Sequence, residues 1–365
     1  MKRAGLAPLR PGAALLVAAL LLGGTSALAR PALVIYPGSF DPVHNAHLAE
    51  LDQALAWARA RHPEGAEALV LPSHDRPVHR PRGYTFDADQ REELLRRAVS
   101  GKGGVRVCPA FGCDRETYQQ LESLAARYGG KREVYLLVGR DAYQGMARWR
   151  GLARVLRRMS LLVSASPEEL AALPPPVTVL GLRGARYGRA DGTGCTFRDK
   201  RSGRSVCYFA TKVPPVRSRE ILVRRMAGLA VDDAVPPAVA RALDRAPLRR
   251  AVDREFRRSV GELADKVRPI LGAERAAEVA RSPGGLRRLL TSRQGGVVAA
   301  ARARVLASEM PTLPQRPLRA FWSRLGASSR GGGHAGHVRP VRRAADPRRP
   351  GAGAAGGVLQ AHARR

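Results

Sequence analysis

Apolar residues along this chain gather into short runs separated by amphipathic stretches. Ala32–Tyr36, Ala68–Leu71, Val105–Val107, Val134–Val138 and Met159–Ser164 are rich in Leu, Val and Ile, and predict buried strands. Val177–Leu182 has the same character and predicts a further one. Between the runs the period lengthens. Leu48, Leu51, Ala54, Leu55 and Ala58 predict a helix opening at His44. Leu94, Leu95 and Ala98 form the inner face of a helix over 87–99, with Arg91, Arg96 and Arg97 elsewhere on it. Leu121, Leu124 and Ala125 mark a helix over 117–127. Strands alternating with helices argue an α/β fold, a doubly wound parallel sheet.

The pattern changes in two places. Cys195 and Cys207 flank a hairpin with its turn at Asp199–Gly203. Beyond Arg245 the chain is helical, at 252–270, 273–280, 286–290 and 297–306, so a helical extension over 246–310 follows a main domain over 30–245. From Pro311 onward Pro, Gly, Ala and Arg dominate, with eleven Arg and one acid, which predicts a disordered basic tail over 311–365. His334 and His337 are solvated residues of that tail, and no metal site is expected in the chain.

Composition adds compartment and charge. The 365 residues carry a formal charge of +32, from 63 Lys+Arg against 31 Asp+Glu. Such a balance supports non-specific contact with polyanions, through the tail above all, but no particular partner. Residues 1–29 join early positive charge (Lys2, Arg3, Arg10) to an uncharged stretch over 11–29 that ends in Ala27-Leu28-Ala29. That is the layout of a secretory signal peptide, with a membrane anchor as the alternative. The four cysteines fit export, as pairs 108/113 and 195/207 in an oxidising compartment; four unrelated thiols in a cytoplasmic protein are the alternative.

The candidate chemistry lies just after the first strand. Pro37-Gly38-Ser39 is a turn, and Gly38 permits close approach of the backbone to a ligand. A strand, a glycine turn and a helix N-terminus make an anion site, because free N–H groups and the helix dipole favour phosphate. His44 and His47, about one turn apart, can reach one polyphosphate together.

Gly38-Ser39-Phe40-Asp41-Pro42-Val43-His44-Asn45-Ala46-His47 resembles the Gly-x-Phe-Asp-Pro-x-His-x-Gly-His signature of adenylyl- and cytidylyltransferases, with Ala46 in place of Gly. Three later segments resemble the nicotinate (nicotinamide) nucleotide adenylyltransferases. Pro77-Val78-His79-Arg80 is similar to their Pro-x-His-Lys, and Gly139-Arg140-Asp141 with Trp149 to their Gly-x-Asp and downstream Trp. Val216–Leu222 stands where they have Ile-Ser-Ser-Thr-x-Ile-Arg; Ser218 remains, Arg219 replaces the Thr and Leu222 the Arg. The resemblance implies a Rossmann-like nucleotidyltransferase fold, and adenylyl transfer from ATP to a mononucleotide with release of pyrophosphate. It implies His44 and His47 on the triphosphate, Gly38, Ser39, Phe40, Asp41 and Ser218 around it, and Arg217 or Arg224 supplying the missing charge. It further implies His79, Arg80, Thr117, Asp141 and Trp149 at the mononucleotide, small-molecule nucleotides as partners, and Mg2+ bridging phosphate oxygens. An adenylyltransferase of the pantetheine-phosphate type and a non-catalytic nucleotide-binding protein remain the rival expectations. Oligomeric state is not fixed by these residues.

Overall fold

The computed structural model describes residues 30–73, 83–108, 117–180, 187–189, 195, 197–212, 216–292 and 294–310. The leader, the tail, His79, Arg80 and Cys113 lie outside the described residues.

Strands β1 (Ala32–Gly38), β2 (Ala66–Pro72), β3 (Val105–Val107), β4 (Glu133–Gly139), β5 (Ser160–Ala165), β6 (Tyr187–Arg189), β7 (Phe197–Asp199) and β8 (Ser205–Ala210) form one sheet in the order 3-2-1-4-5-8-7-6. The first five and β8 run parallel; β6 and β7 are antiparallel additions at one edge. β1 pairs with β2 on one side and β4 on the other, so the order reverses beside β1. A crevice at the carboxyl ends of the strands is expected there.

The strands alternate as a two-faced sheet requires. Val34 and Tyr36 enter one apolar layer with Leu51 and Leu55 of α1 (Asn45–Arg59) and Leu94 and Leu95 of α2 (Ala88–Val99). Leu33 and Ile35 enter the opposite layer, with Leu121 of α3 (Thr117–Tyr128) and Tyr143 of α4 (Arg140–Gly145). α2 starts where expected. Its N-cap Asp87 accepts from Gln90 N at 2.8 Å, and the Gln90 side chain accepts from Asp87 N at 3.2 Å.

After α5 (Leu152–Leu156), β5 and α6 (Pro167–Ala171), the expected strand at 177–182 is absent: Pro176–Leu180 is a short helix, α7. Pro176 is its first residue, a position that suits the fixed φ of proline. The place beside β5 that such a strand would take is filled by β8. The hairpin expectation holds: β7 and β8 are antiparallel across a turn in which Asp199 accepts from Arg201 N and Ser202 N, and Cys195 is disulfide-bonded to Cys207.

Helices α8 (Ser218–Met226), α9 (Pro237–Leu243), α10 (Ala246–Leu271), α11 (Ala273–Arg281), α12 (Pro283–Thr291) and α13 (Gly296–Glu309) complete the described chain. The extension does not form a core of its own. Leu248, Phe256 and Leu263 of α10 and Val305 of α13 pack into the same apolar layer as Val34 and Leu94. No helix among the described residues is long and apolar enough to cross a membrane.

Candidate active site

Beyond Gly38 the chain folds back on itself. Phe40 takes a left-handed φ of 47° and is 1% exposed. Its ring lies over Gly38, so closely that a Cβ there would sit 2.8 Å from the Phe40 Cζ. A side chain at Gly38 would therefore have to displace this ring. The Phe40 side chain is itself a buried wedge behind the turn. Its ring centroid is 5.0 Å from that of His47 and 5.3 Å from that of Tyr36, both edge-on.

Asp41 is fully buried and accepts from Thr85 N and Phe86 N, each at 3.0 Å. It ties the motif to the segment that leads into α2. Arg91, placed off the inner face by its polarity, is instead fully buried. Its guanidinium donates to Ser39 O at 3.0 Å, Ser73 O at 2.8 Å and Phe86 O at 3.1 Å, with the Tyr84 ring at 4.1 Å. One cation thus ties together the motif turn, the end of β2 and the start of α2. A signal was present, since Arg91 continues the inner stripe of Leu94, Leu95 and Ala98 at helical spacing.

The histidines meet at the N-terminus of α1. His44 is its N-cap, and the two imidazoles stack with centroids 3.6 Å apart and planes at 17°. His44 N donates to His47 Nδ1 at 3.3 Å, so the neutral His47 ring carries its proton on Nε2. Burial pushes the His47 pKa down to about 3; burial, with the neighbouring His47, pushes His44 well below the usual imidazole range. Both rings are therefore neutral at pH 7. The His44 ring caps the helix, facing the backbone N–H of His47, and its Nδ1 is buried.

A second helix N-terminus comes to the same turn. Ser218 Oγ at the start of α8 donates to Pro42 O at 3.0 Å, and the exposed Arg217 is its N-cap. Asn45 N donates to Ala234 O at 2.9 Å and Asn45 Nδ2 to Asp233 O at 3.1 Å, which fastens α1 to the segment following α8. Two expectations on α8 are corrected. Arg224 is 2% exposed; it donates to Glu220 Oε1 at 3.3 Å and Ala230 O at 3.0 Å, and pairs with Asp233, so its guanidinium is an internal strut. Leu222 is 4% exposed and lies in the core, so its position does not face a phosphate.

The residues expected at the mononucleotide are more dispersed. Asp141 lies in the first turn of α4 at the carboxyl end of β4, exposed and paired with Arg140 at 3.1 Å, which also reaches Glu169 at 2.9 Å. Trp149 is half-buried against the layer around Leu136, and Thr117 is half-buried at the start of α3. No hydrogen bond or ring contact among the described residues joins these three to the histidine pair. Sequence reasoning missed Glu50, one turn after His47. It accepts from Tyr36 Oη of β1 and Ser164 Oγ of β5, and burial pushes its carboxyl up. Among the described residues, no group of three or more His, Cys, Asp or Glu could hold a metal ion by itself.

Residues 35–211 match the cytidylyltransferase-like family model. A protein of Pseudomonas entomophila named "Probable nicotinate-nucleotide adenylyltransferase" is 31% identical over 165 residues, 44% of this chain and 71% of that protein. One of the same name from Yersinia enterocolitica is 28% identical over 224 residues, 59% of this chain and 94% of its own length. A solved structure of Plasmodium falciparum nicotinic acid mononucleotide adenylyltransferase complexed with NaAD aligns with 58% of this chain and 94% of its own, at 13% identity and a TM-score of 0.39.

Proposed function

The chain belongs to the nicotinate-nucleotide adenylyltransferase family of nucleotidyltransferases, and we propose that it transfers the adenylyl group of ATP to nicotinate or nicotinamide mononucleotide. The observation that carries this reading is the stacked pair of the buried His44 and the half-buried His47 at the N-terminus of a 15-residue helix. A phosphate oxygen of the mononucleotide attacks the α-phosphorus of ATP. The bond from that phosphorus to the bridging oxygen breaks, and pyrophosphate leaves with the charge.

The attacking oxygen is already ionised, so positioning and charge stabilisation supply the acceleration. His47 Nε2–H donates to the triphosphate, and its tautomer is set by the His44 backbone N–H. His44, stacked on His47 at the helix N-terminus, takes up a proton as the polyanion arrives and adds positive charge beside it. The first N–H groups of α1 and of α8, with Arg217, add positive potential. Mg2+ bound to the triphosphate supplies further charge neutralisation. Asp141 and Trp149, past the end of β4, receive the acceptor, with Thr117, His79 and Arg80 assigned to it by resemblance alone. Arg91 and Asp41 hold the turn and touch no substrate.

The disulfide between Cys195 and Cys207 and the leader over 1–29 support action in an oxidising compartment after export. N-terminal sequencing of the mature protein tests that part; an intact leader would contradict it.

The reaction is tested by pyrophosphate release from ATP across nicotinate mononucleotide, nicotinamide mononucleotide and phosphopantetheine. Turnover with a pyridine mononucleotide is expected. Turnover with phosphopantetheine alone would replace the acceptor, and saturable ATP binding without turnover on any of the three would overturn the proposal.

A further inference from the structure

The N-terminal turn of α8 is fastened from outside the sheet. Arg219 follows Ser218, the residue whose hydroxyl donates to Pro42 O in the motif turn. The Arg219 guanidinium turns the other way, into the helical extension. Its Nε donates to Glu309 Oε2 of α13 at 2.6 Å, and its Nη1 to Glu255 Oε1 and Ser259 Oγ of α10 at 3.0 and 3.3 Å. Lys266 of α10 pairs with the other oxygen of Glu309, and Ser259 Oγ donates to Glu255 Oε1 at 2.7 Å. The acceptors are deep: Glu309 is 4% exposed, Glu255 9% and Ser259 fully buried. Burial alone would push the Glu309 carboxyl up, but the hydrogen bonds from Lys266 and Arg219 outweigh it and hold it below the usual range.

Resting on the reaction proposed above, we propose that Arg219 is a positioning residue: through it, residues 246–310 hold the N-terminus of α8 against the motif turn, so that Arg217 and the first N–H groups of α8 face the triphosphate. Two features set this network apart from an ordinary surface ion pair. One cation gathers acceptors from two helices, Glu255 of α10 and Glu309 of α13. And the fastened turn is the one that carries Ser218 and Arg217, with no residue between Arg219 and the motif contact. A charged group held by several hydrogen bonds in a half-buried site loses more on truncation than an exposed pair does.

The test uses the full chain, with Arg219→Thr, Arg219→Lys, Glu309→Gln and the double variant Arg219→Thr/Glu309→Gln. Three readouts are taken: amide hydrogen exchange of α8 with α1 as internal control, the dissociation constant of Mg·ATP by calorimetry, and KM for ATP against kcat. Arg219→Thr should accelerate exchange in α8 by at least about tenfold with α1 unchanged, and weaken ATP binding by a similar factor, the scale of losing hydrogen bonds to a charged group. The rise should appear in KM more than in kcat, Arg219→Lys should recover part of it, and the double variant should be no worse than the single. Exchange in α8 and ATP affinity unchanged from wild type, with only the melting temperature lowered, would make Arg219 merely structural and overturn the inference. A wild-type protein that forms no dinucleotide would count against the proposed reaction, while the exchange and calorimetric readouts still decide the role of Arg219.

Discussion

Asp41 gives the sharpest stability prediction. Its carboxylate is fully buried, and its two oxygens each accept one backbone N–H, from Thr85 and Phe86. Replacement by Ala removes both acceptors and leaves two donors without them. A hydrogen bond to a charged group is worth ~1.5–3 kcal/mol, so the simple sum is ~3–6 kcal/mol. Thr85 is half-buried and its N–H can be rehydrated, which lowers the expectation for Asp41→Ala to about 2–4 kcal/mol. Asp41→Asn keeps one accepting oxygen but turns an amide NH2 toward the other N–H, and should cost roughly 1–2 kcal/mol. The loss should be visible as a fall in urea midpoint at constant m-value. Turnover should fall with it, because a displacement of about 1 Å in a positioning element costs ~10²-fold. A cost below about 1 kcal/mol for Asp41→Ala, or equal costs for the two variants, would refute the account of Asp41 as a two-donor anchor.

Gly38→Ala should cost about 1–3 kcal/mol in chemical denaturation, since the new methyl meets the buried Phe40 ring at 2.8 Å and that ring is packed against Tyr36 and His47. Leu222→Arg, the change that would restore the family pattern, should lower stability by roughly 3 kcal/mol or more and leave ATP affinity no better, because it buries a charge; tighter ATP binding in calorimetry would show that α8 sits differently. The histidine pair should make stability fall on acidification. Folded pKa values below the ordinary 6.5 mean that the unfolded chain binds protons first, so stability is complete above pH 6.5 and is lost toward pH 3, measurable as a falling urea midpoint. Mg·ATP binding near pH 6 should be accompanied by proton uptake, seen as a buffer-dependent calorimetric heat, because the triphosphate raises pKa values that burial holds down.

The parallel sheet was legible because its strands are continuous apolar runs and its helices have a clean inner stripe, as at Val34 and Tyr36 against Leu51 and Leu55. Val177–Leu182 misled for the same reason. Five apolar or β-branched residues say that a segment is buried, and only the long-range choice of β8 as the neighbour of β5 says that it is not a strand. The motif's order of elements could be read, but not the inward roles of its members. Arg91 and Arg224 are charged residues in positions that only a converging set of carbonyls and carboxylates can satisfy; Arg91 takes them from the motif turn and the end of β2, far away in sequence, and Arg224 from the turn that follows α8, whose path the apolar pattern does not predict. Gly38 illustrates the same limit: the residue that needs it glycine, Phe40, is two positions away, yet reaches it only through a left-handed turn.

The central claim is that the His44/His47 pair drives adenylyl transfer, and one measurement addresses it directly. ATP labelled at the α-phosphorus is incubated with Mg2+ and nicotinate mononucleotide, using wild type and His47→Ala at matched folded concentration. The account expects label in the dinucleotide with wild type, and a rate at least ~10²-fold lower with His47→Ala, the cost of losing one preorganised donor to developing charge. Label transferred at the same rate by both proteins would contradict it.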